Sequence, residues 1–487
     1  MHKLPSPLVS FIPLLVLIAL LSIVISAFGS DALSGPGQIA LLLGSAICVF
    51  IGMVFYKVKW EDFENVLVNN IKGVSSALVI LLIIGALSAS WMLSGIVPTL
   101  ITYGVHLIHP SVFLVSACVI CILVSVMTGS SWTTIATIGI ALMGIGEAQR
   151  FSEGWIAGAI ISGAYFGDKI SPLSETTVLA SSVTKTPLFK HIRFMMITTV
   201  PSITITLIIF LIAGFCHQSA DAGHIIDVGS ILEQRFNITP WLLIVPVVTG
   251  ILIVKKVPSI ITLFLSTTMA VIMAYIFQPD ILHTLGAGNK HETFRGIMTM
   301  LTSSTALEMN NEMVNELVST RGMGGMMGTI WLILCSMSFG AAMTAGGMLK
   351  SITNMFIHHM KRTVSVISST VGSGLFLNIA LADQYISIML TGSIFRKTYE
   401  EKGYDSCVLS RTIEDSVTVT SVLVPWNSCG LTQSTVLNVS TFTYMPYCFF
   451  NYLSPLMSIA IAAIGYKILR VKKKADAVDE VPVEVES

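Results

Sequence analysis

One apolar stretch of the sequence is interrupted by residues with the means to hold a cation: Gly167-Asp168-Lys169-Ile170-Ser171-Pro172-Leu173-Ser174-Glu175-Thr176-Thr177. Asp168 and Glu175 offer hard carboxylate ligands, and Ser171, Ser174 and Thr177 offer neutral oxygens, the donor set of an alkali or alkaline-earth cation. Pro172 removes a backbone donor and breaks a helical ladder, which frees carbonyl oxygens. Glu175 lies further toward the far end of the segment than Asp168. The bland alternative is a loop between two half-length helices, with solvated charges and Lys169 paired to Asp168.

A second interruption repeats the theme with Arg411, Glu414, Asp415 and Thr418, followed by Pro425-Trp426-Asn427-Ser428-Cys429-Gly430. Asp415 and Thr418 share one helix face through their i, i+3 spacing. Pro425 breaks the ladder again, and Asn427 supplies an amide oxygen. Asp415 is a candidate cation ligand or proton carrier. Its alternative role is a salt bridge to Arg411, which Glu414 suits better. Two polar turns complete the set: Thr128, Gly129, Ser130 and Ser131 in one, and Asn378, Asp383 and Gln384 in the other. The expected sodium ligands are the carboxylates of Asp168, Asp383 and Asp415.

Such residues need an apolar scaffold, and the composition provides one. The 487 residues are 53% hydrophobic and 11% charged, against about 25% charged in soluble domains, so much of the surface must face lipid. A charge at mid-bilayer costs about 2.5–3.5 kcal/mol on translocon scales, which marks the interruptions as functional. Zero net charge argues against nucleic acid as a partner. Cys118 and Cys121 lie on an apolar helix and are read as packing residues. Enzyme chemistry finds no support: HExxH is absent, and Gly129-Ser130-Ser131 has no histidine base in the same segments.

Apolar runs predict helices at 8–28, 37–56, 73–97, 112–127, 132–147, 154–183, 193–216, 237–255, 258–277, 323–347, 363–380, 384–396, 407–441 and 447–470. The first is read as a membrane span rather than a cleaved leader. Residues 308–321 read as an amphipathic helix along the membrane, and 476–487 as a disordered acidic tail. Lysine and arginine concentrate in alternate loops (Lys57, Lys59, Lys72; Lys185, Lys190, Arg193; Lys350, Arg362; Arg396, Lys397, Lys402), which puts both termini in the cytoplasm. On that count an all-α polytopic protein emerges with two inverted repeats, 1–236 and 237–475, each of about five spans plus a re-entrant hairpin and a broken helix. The hairpins are 112–147 and 363–396, and the broken helices are 154–183 and 407–441. An odd number of crossings in the first repeat inverts the second.

The motifs resemble the NhaC sodium/proton antiporter family. Gly129-Ser130-Ser131-Trp132, the segment Gly167 to Thr177, Ala382-Asp383-Gln384-Tyr385, Arg411-Thr412-Ile413-Glu414-Asp415 and the segment Pro425 to Gly430 recur in the family's order over nearly the whole chain. The resemblance implies a secondary transporter of the bacterial inner membrane that exchanges sodium for protons by alternating access, with sodium as cargo and no resident cofactor. The family's first motif reads like G-D-H-x-S-P-I-S-D-T-T, so Lys169 and Glu175 are departures. The family also includes exchangers of small organic acids such as malate and lactate, and a lysine near a helix terminus suits a carboxylate. The assembly is compatible with a homodimer.

Overall fold

The computed structural model describes residues 4–28, 35–216, 228–255, 257–287, 291–309, 312–358 and 362–470. The acidic tail, 476–487, lies outside them. The described residues are almost entirely helical, with only isolated bridges at Thr305–Thr320 and Tyr404–Arg470 in place of strands. Among them, 8 helices are long and apolar enough to cross a membrane, or up to 10 if two bent pairs each count as one. Large apolar side chains such as Leu8, Leu107 and Phe189 stand exposed around this bundle, as a lipid-facing surface requires.

Most element positions match the apolar runs, and the differences have local causes. The helix expected at 73–97 runs instead over Trp60–Leu93. Its first turn carries Glu61 and Asp62, which complement the helix dipole, and Asp62 accepts a hydrogen bond from the Lys59 amide at 3.4 Å. Gly95 at φ +83 then separates it from a further helix, Ile96–Leu107. Residues 308–321 do not form one amphipathic helix: a short helix, Glu312–Leu317, is tied off by the Thr305–Thr320 bridge. The last span is shorter than expected, Phe449–Ile464, and ends at Gly465 in the left-handed region.

Both interrupted helices are broken. The first consists of Glu153–Ile170 and Glu175–Val183. The second runs Ser406–Ile413, opens into a π turn at Glu414–Thr418, tightens at Ser421–Leu423 and resumes as Ser428–Leu437. They run in opposite directions. Lys190, beyond the end of the first, pairs at 2.7 Å with Asp405, which precedes the start of the second. At the other extreme, Gly154 at the start of the first abuts the Thr443 carbonyl, beyond the end of the second.

Small residues let the first hairpin and the first broken helix pack backbone to backbone. A Cβ on Gly163 would lie 2.2 Å from the Cys118 carbonyl oxygen, and one on Gly167 would lie 2.6 Å from that of Ile122. Interfaces of small residues are the usual device where lipid removes the hydrophobic drive for helix association. Cys118 and Cys121 are buried free thiols in this contact, as their apolar setting suggested. Gly163→Val is expected to destabilise the protein by about 1–3 kcal/mol, the range for overpacking. A shift in the detergent-solubilised unfolding midpoint checks it, and an unchanged midpoint would refute the close contact.

Candidate functional site

Each hairpin tip is built the same way and lands on a helix break. Pro110–Thr128 ends at Gly129 with φ 66 and ψ 25, and Thr363–Leu381 ends at Ala382 with φ 55 and ψ 20. Each left-handed residue is followed by an extended one, Ser130 at φ −150 and Asp383 at φ −143, whose side chain caps the next helix. The caps accept from the amides of Thr133 at 3.2 Å and Ile386 at 2.9 Å. The breaks match as well: Ser171 and Val424 are extended, and Ser174 and Asn427 cap the resumed helices. Gly129 and Ala382, Ser130 and Asp383, Pro172 and Pro425, and Ser174 and Asn427 are all separated by the same 253 positions.

The two tips differ in tolerance. A Cβ on Gly129 would sit 2.6 Å from the Leu173 carbonyl carbon in the first break, while Ala382 carries its methyl in the same backbone conformation. Gly129→Ala therefore combines left-handed strain with a backbone clash and is expected to cost about 1–3 kcal/mol. Ala382→Gly relieves strain and is expected to change stability by less than about 1 kcal/mol. Paired unfolding midpoints test this, and equal effects of the two changes would refute it.

Asp168 and Asp383 occupy the two tip–break junctions. Asp168 Oδ2 accepts from the Ser131 amide at 3.1 Å and the Ser131 hydroxyl at 2.8 Å. Ser171 Oγ donates to the Val126 carbonyl at 2.8 Å, and Thr177 Oγ1 donates to the Lys169 carbonyl at 2.9 Å, so these hydroxyls brace the break. Thr128 Oγ1 accepts from the Ser130 amide at 3.1 Å and holds the first tip together. At the second junction Asp383 also accepts from Ser428 Oγ at 3.0 Å, and the Ser428 amide donates to the Ala382 carbonyl at 2.8 Å. Asn427 Nδ2 donates to the Asn378 carbonyl at 3.1 Å, while Asn378 Nδ2 donates to the Val417 carbonyl at 2.7 Å. Gln384 Nε2 donates to the Thr418 carbonyl at 2.8 Å.

Asp415 goes elsewhere. Its Oδ1 lies 2.5 Å from Lys169 Nζ and accepts from Thr198 Oγ1 at 2.9 Å, while Ser454 Oγ receives Lys169 Nζ at 2.8 Å. Lys169 is thus paired across the two halves rather than with its neighbour Asp168. Arg411 pairs with Asp415, not with Glu414, at 3.8 Å from Nε to Oδ2, and its guanidinium lies 4.8 Å from the Phe194 ring centroid. The expected convergence of Asp168, Asp383 and Asp415 does not occur. Among the described residues no three His, Cys, Asp or Glu side chains group closely enough to hold a metal ion, and Asp415 is engaged by Lys169. Glu175 is exposed and accepts from the Tyr385 hydroxyl at 3.0 Å, which links the second tip to the first break. Pro172 is exposed, whereas Ser174, Thr177, Asn378, Thr418 and Asn427 are buried.

Residues the sequence reading passed over are Thr198, Ser454 and His191, and Glu414 was named only as a partner for Arg411. Thr198 and Ser454 announce themselves only as hydroxyls in apolar spans, a weak signal, since most such hydroxyls bond their own helix. Among the described residues the buried side chains of formal charge are four carboxylates, Asp168, Asp383, Glu414 and Asp415, against Lys169 and Arg411. The interior therefore has two more acids than fixed bases. Asp168 alone of the four keeps any exposure, 6% against 0% for the others. A cavity of about 1200 Å³ opens at the opposite end of the first broken helix, where Glu147, Arg150, Glu153 and Arg321 line it.

The profile of the Na+/H+ antiporter family matches residues 163–466, which include both breaks, the second tip and the buried charges. The chain is 32% identical over 423 residues to the Na(+)/H(+) antiporter NhaC of Bacillus subtilis, covering 86% of this chain and 91% of that protein. It is 34% identical over 433 residues to the Malate-2H(+)/Na(+)-lactate antiporter of the same organism, covering 88% and 90%. A Na(+)/H(+) antiporter NhaC from Alkalihalophilus pseudofirmus is 33% identical over 422 residues, covering 86% and 89%. With its profile match running through every buried charge of the two broken helices, this multi-pass membrane protein belongs to the Na+/H+ antiporter family.

Proposed function

We propose that the protein exchanges sodium for protons across the cytoplasmic membrane by alternating access, with the two tip–break junctions as the site. The observation that carries this reading is the surplus of buried carboxylate. An interior with two more acids than fixed bases attracts cations and repels anions. Sodium binds through Asp168 and Asp383 with neighbouring oxygens from the breaks, and proton and sodium compete for the same uncompensated charge. That competition couples the two fluxes.

The antiparallel broken helices and the shared 253-residue spacing support inverted repeats at 1–236 and 237–475, with the tips at Gly129 and Ala382 as re-entrant turns. The first arm of each hairpin, Pro110–Thr128 and Thr363–Leu381, has 19 residues and is long enough to cross a membrane, yet each ends against a helix break inside the protein. On the lysine-rich-inside topology the large cavity faces outward and both termini face the cytoplasm. The organic-acid alternative rests on the exchangers of malate and lactate within the family and on Lys169 meeting a carboxylate. That lysine is occupied by Asp415 within the protein, which favours the cation reading.

The test is sodium added to proteoliposomes of the purified protein loaded with a pH-sensitive dye, without organic acids. A sodium-dependent pH change is the expected result. A response that appears only with malate or lactate would overturn the simple exchange in favour of an organic-acid exchanger.

A further inference from the structure

We propose that Glu414 carries the exchanged proton, at a position separate from the carboxylates that hold sodium. The inference rests on the exchange reading above and deepens it. Glu414 opens the five-residue π turn Glu414–Thr418 in the second broken helix. Such single wide turns inside helices concentrate at functional sites. Its side chain is wholly buried, and neither carboxylate oxygen meets hydrogen-bond geometry with any donor. The Thr418 hydroxyl, one turn on, interacts with Glu414 without reaching hydrogen-bond geometry.

The other three buried acids are provided for. Asp168 and Asp383 each accept at least two donors, and Asp415 holds a lysine. A buried ionised carboxylate without donors is costly, whereas the neutral acid is not. Glu414 therefore has the surroundings of a group that holds a proton in this state. The charge to receive it once ionised is already in place. The Lys169 ammonium acts on Glu414 electrostatically and favours its ionised form, while Asp168 opposes it.

The elements packed on the π turn bring the following groups toward it, besides Lys190, Arg193, Cys216, Arg396, Lys397, Glu400 and Glu401, which are exposed or half-buried. Ser406–Ile413 contributes Arg411 and Cys407. Leu188–Cys216 contributes His191, bonded through Nδ1 to Ser410 Oγ at 2.8 Å. Gln384–Glu401 contributes Tyr385 and Tyr399, and Glu175–Val183 contributes Glu175, which is exposed. Thr363–Leu381 contributes no titratable group, and Phe449–Ile464 only Tyr452. None of these supplies a hydrogen bond to Glu414.

Charge conservation then gives the step. With sodium absent, the Glu414 carboxyl keeps its O–H bond. When sodium arrives beside Asp168, one positive charge enters, the Glu414 O–H bond breaks, and one proton leaves. The electron pair stays on the carboxylate, where the Lys169 ammonium offsets the new charge. The reverse order resets the carrier, and no other reactant is needed.

The experiment compares two half-reactions of the full chain in proteoliposomes: sodium-driven proton movement read by the dye, and radioactive-sodium counterflow at zero gradient. Glu414→Gln is expected to lower proton movement by at least about tenfold while counterflow persists and loses its inhibition by acid. Glu414→Asp, which restores a titratable group, is expected to recover proton movement. Wild-type proton movement by Glu414→Gln would overturn the proposal. So would loss of counterflow in both variants when each elutes as a monodisperse folded protein. Absence of both reactions in the wild type would instead overturn the exchange reading itself.

Discussion

Asp168→Asn is expected to abolish sodium-driven proton movement, by at least about a hundredfold. Losing a mere outer-shell partner of a bound metal ion typically costs 10–100-fold, and Asp168 is assigned to the ion itself. The change is nearly isosteric, so the fold should survive it. The Ser131 hydroxyl and amide converge on one oxygen of Asp168, and an asparagine carbonyl can still accept from both. What disappears is the negative charge at the one buried acid among the described residues with residual exposure. Ser131→Ala is the graded companion. It removes the hydroxyl donor but leaves the amide, so sodium affinity should fall by about tenfold without loss of turnover at saturating sodium. Dye responses titrated against sodium concentration read both variants. Full exchange by Asp168→Asn would remove Asp168 from the site.

The second large effect concerns stability. Asp415→Asn leaves the Lys169 ammonium in a dry interior and also strips Arg411 of its nearest acid. Breaking a buried pair from one side costs about 3–5 kcal/mol, and here two cations lose one partner. Lys169→Met should be milder, because Asp415 keeps Thr198 and Arg411. The double variant Lys169→Met/Asp415→Asn removes the pair evenly and should recover much of the loss, as replacements of whole buried ion pairs do. Unfolding in detergent across the four proteins gives the coupling energy directly. Additive losses would mean that the 2.5 Å pair contributes nothing as a pair.

Much of this was legible in the sequence because hydrocarbon punishes polar groups so strongly. Pro172 and Pro425 sit in apolar runs, and the helices are interrupted around them, between Ile170 and Glu175 and between Leu423 and Ser428. The turns at Gly129 and Ala382–Asp383 were legible for the same reason. What the sequence hid was pairing. Lys169 stands next to Asp168 in the chain, but a helix turns successive side chains about 100° apart, and Lys169 points to the opposite half. Asp415 was placed with the sodium ligands because nothing local says that a lysine 246 residues away will claim it. Glu414 was assigned the Arg411 bridge, but Asp415, four residues after Arg411, takes that place instead.

The contact between Pro110–Thr128 and Glu153–Ile170 has a use beyond the protein's own chemistry. Because Gly163 and Gly167 let one backbone rest on the other, the two helices have no slack in which to slide. Spin labels or fluorophores attached to their lipid-facing sides would form a fixed yardstick inside a molecule whose other distances change during the cycle. Spectroscopic separations recorded between the two hairpins could be calibrated against that yardstick in the same sample, so that label flexibility is told apart from motion of the protein.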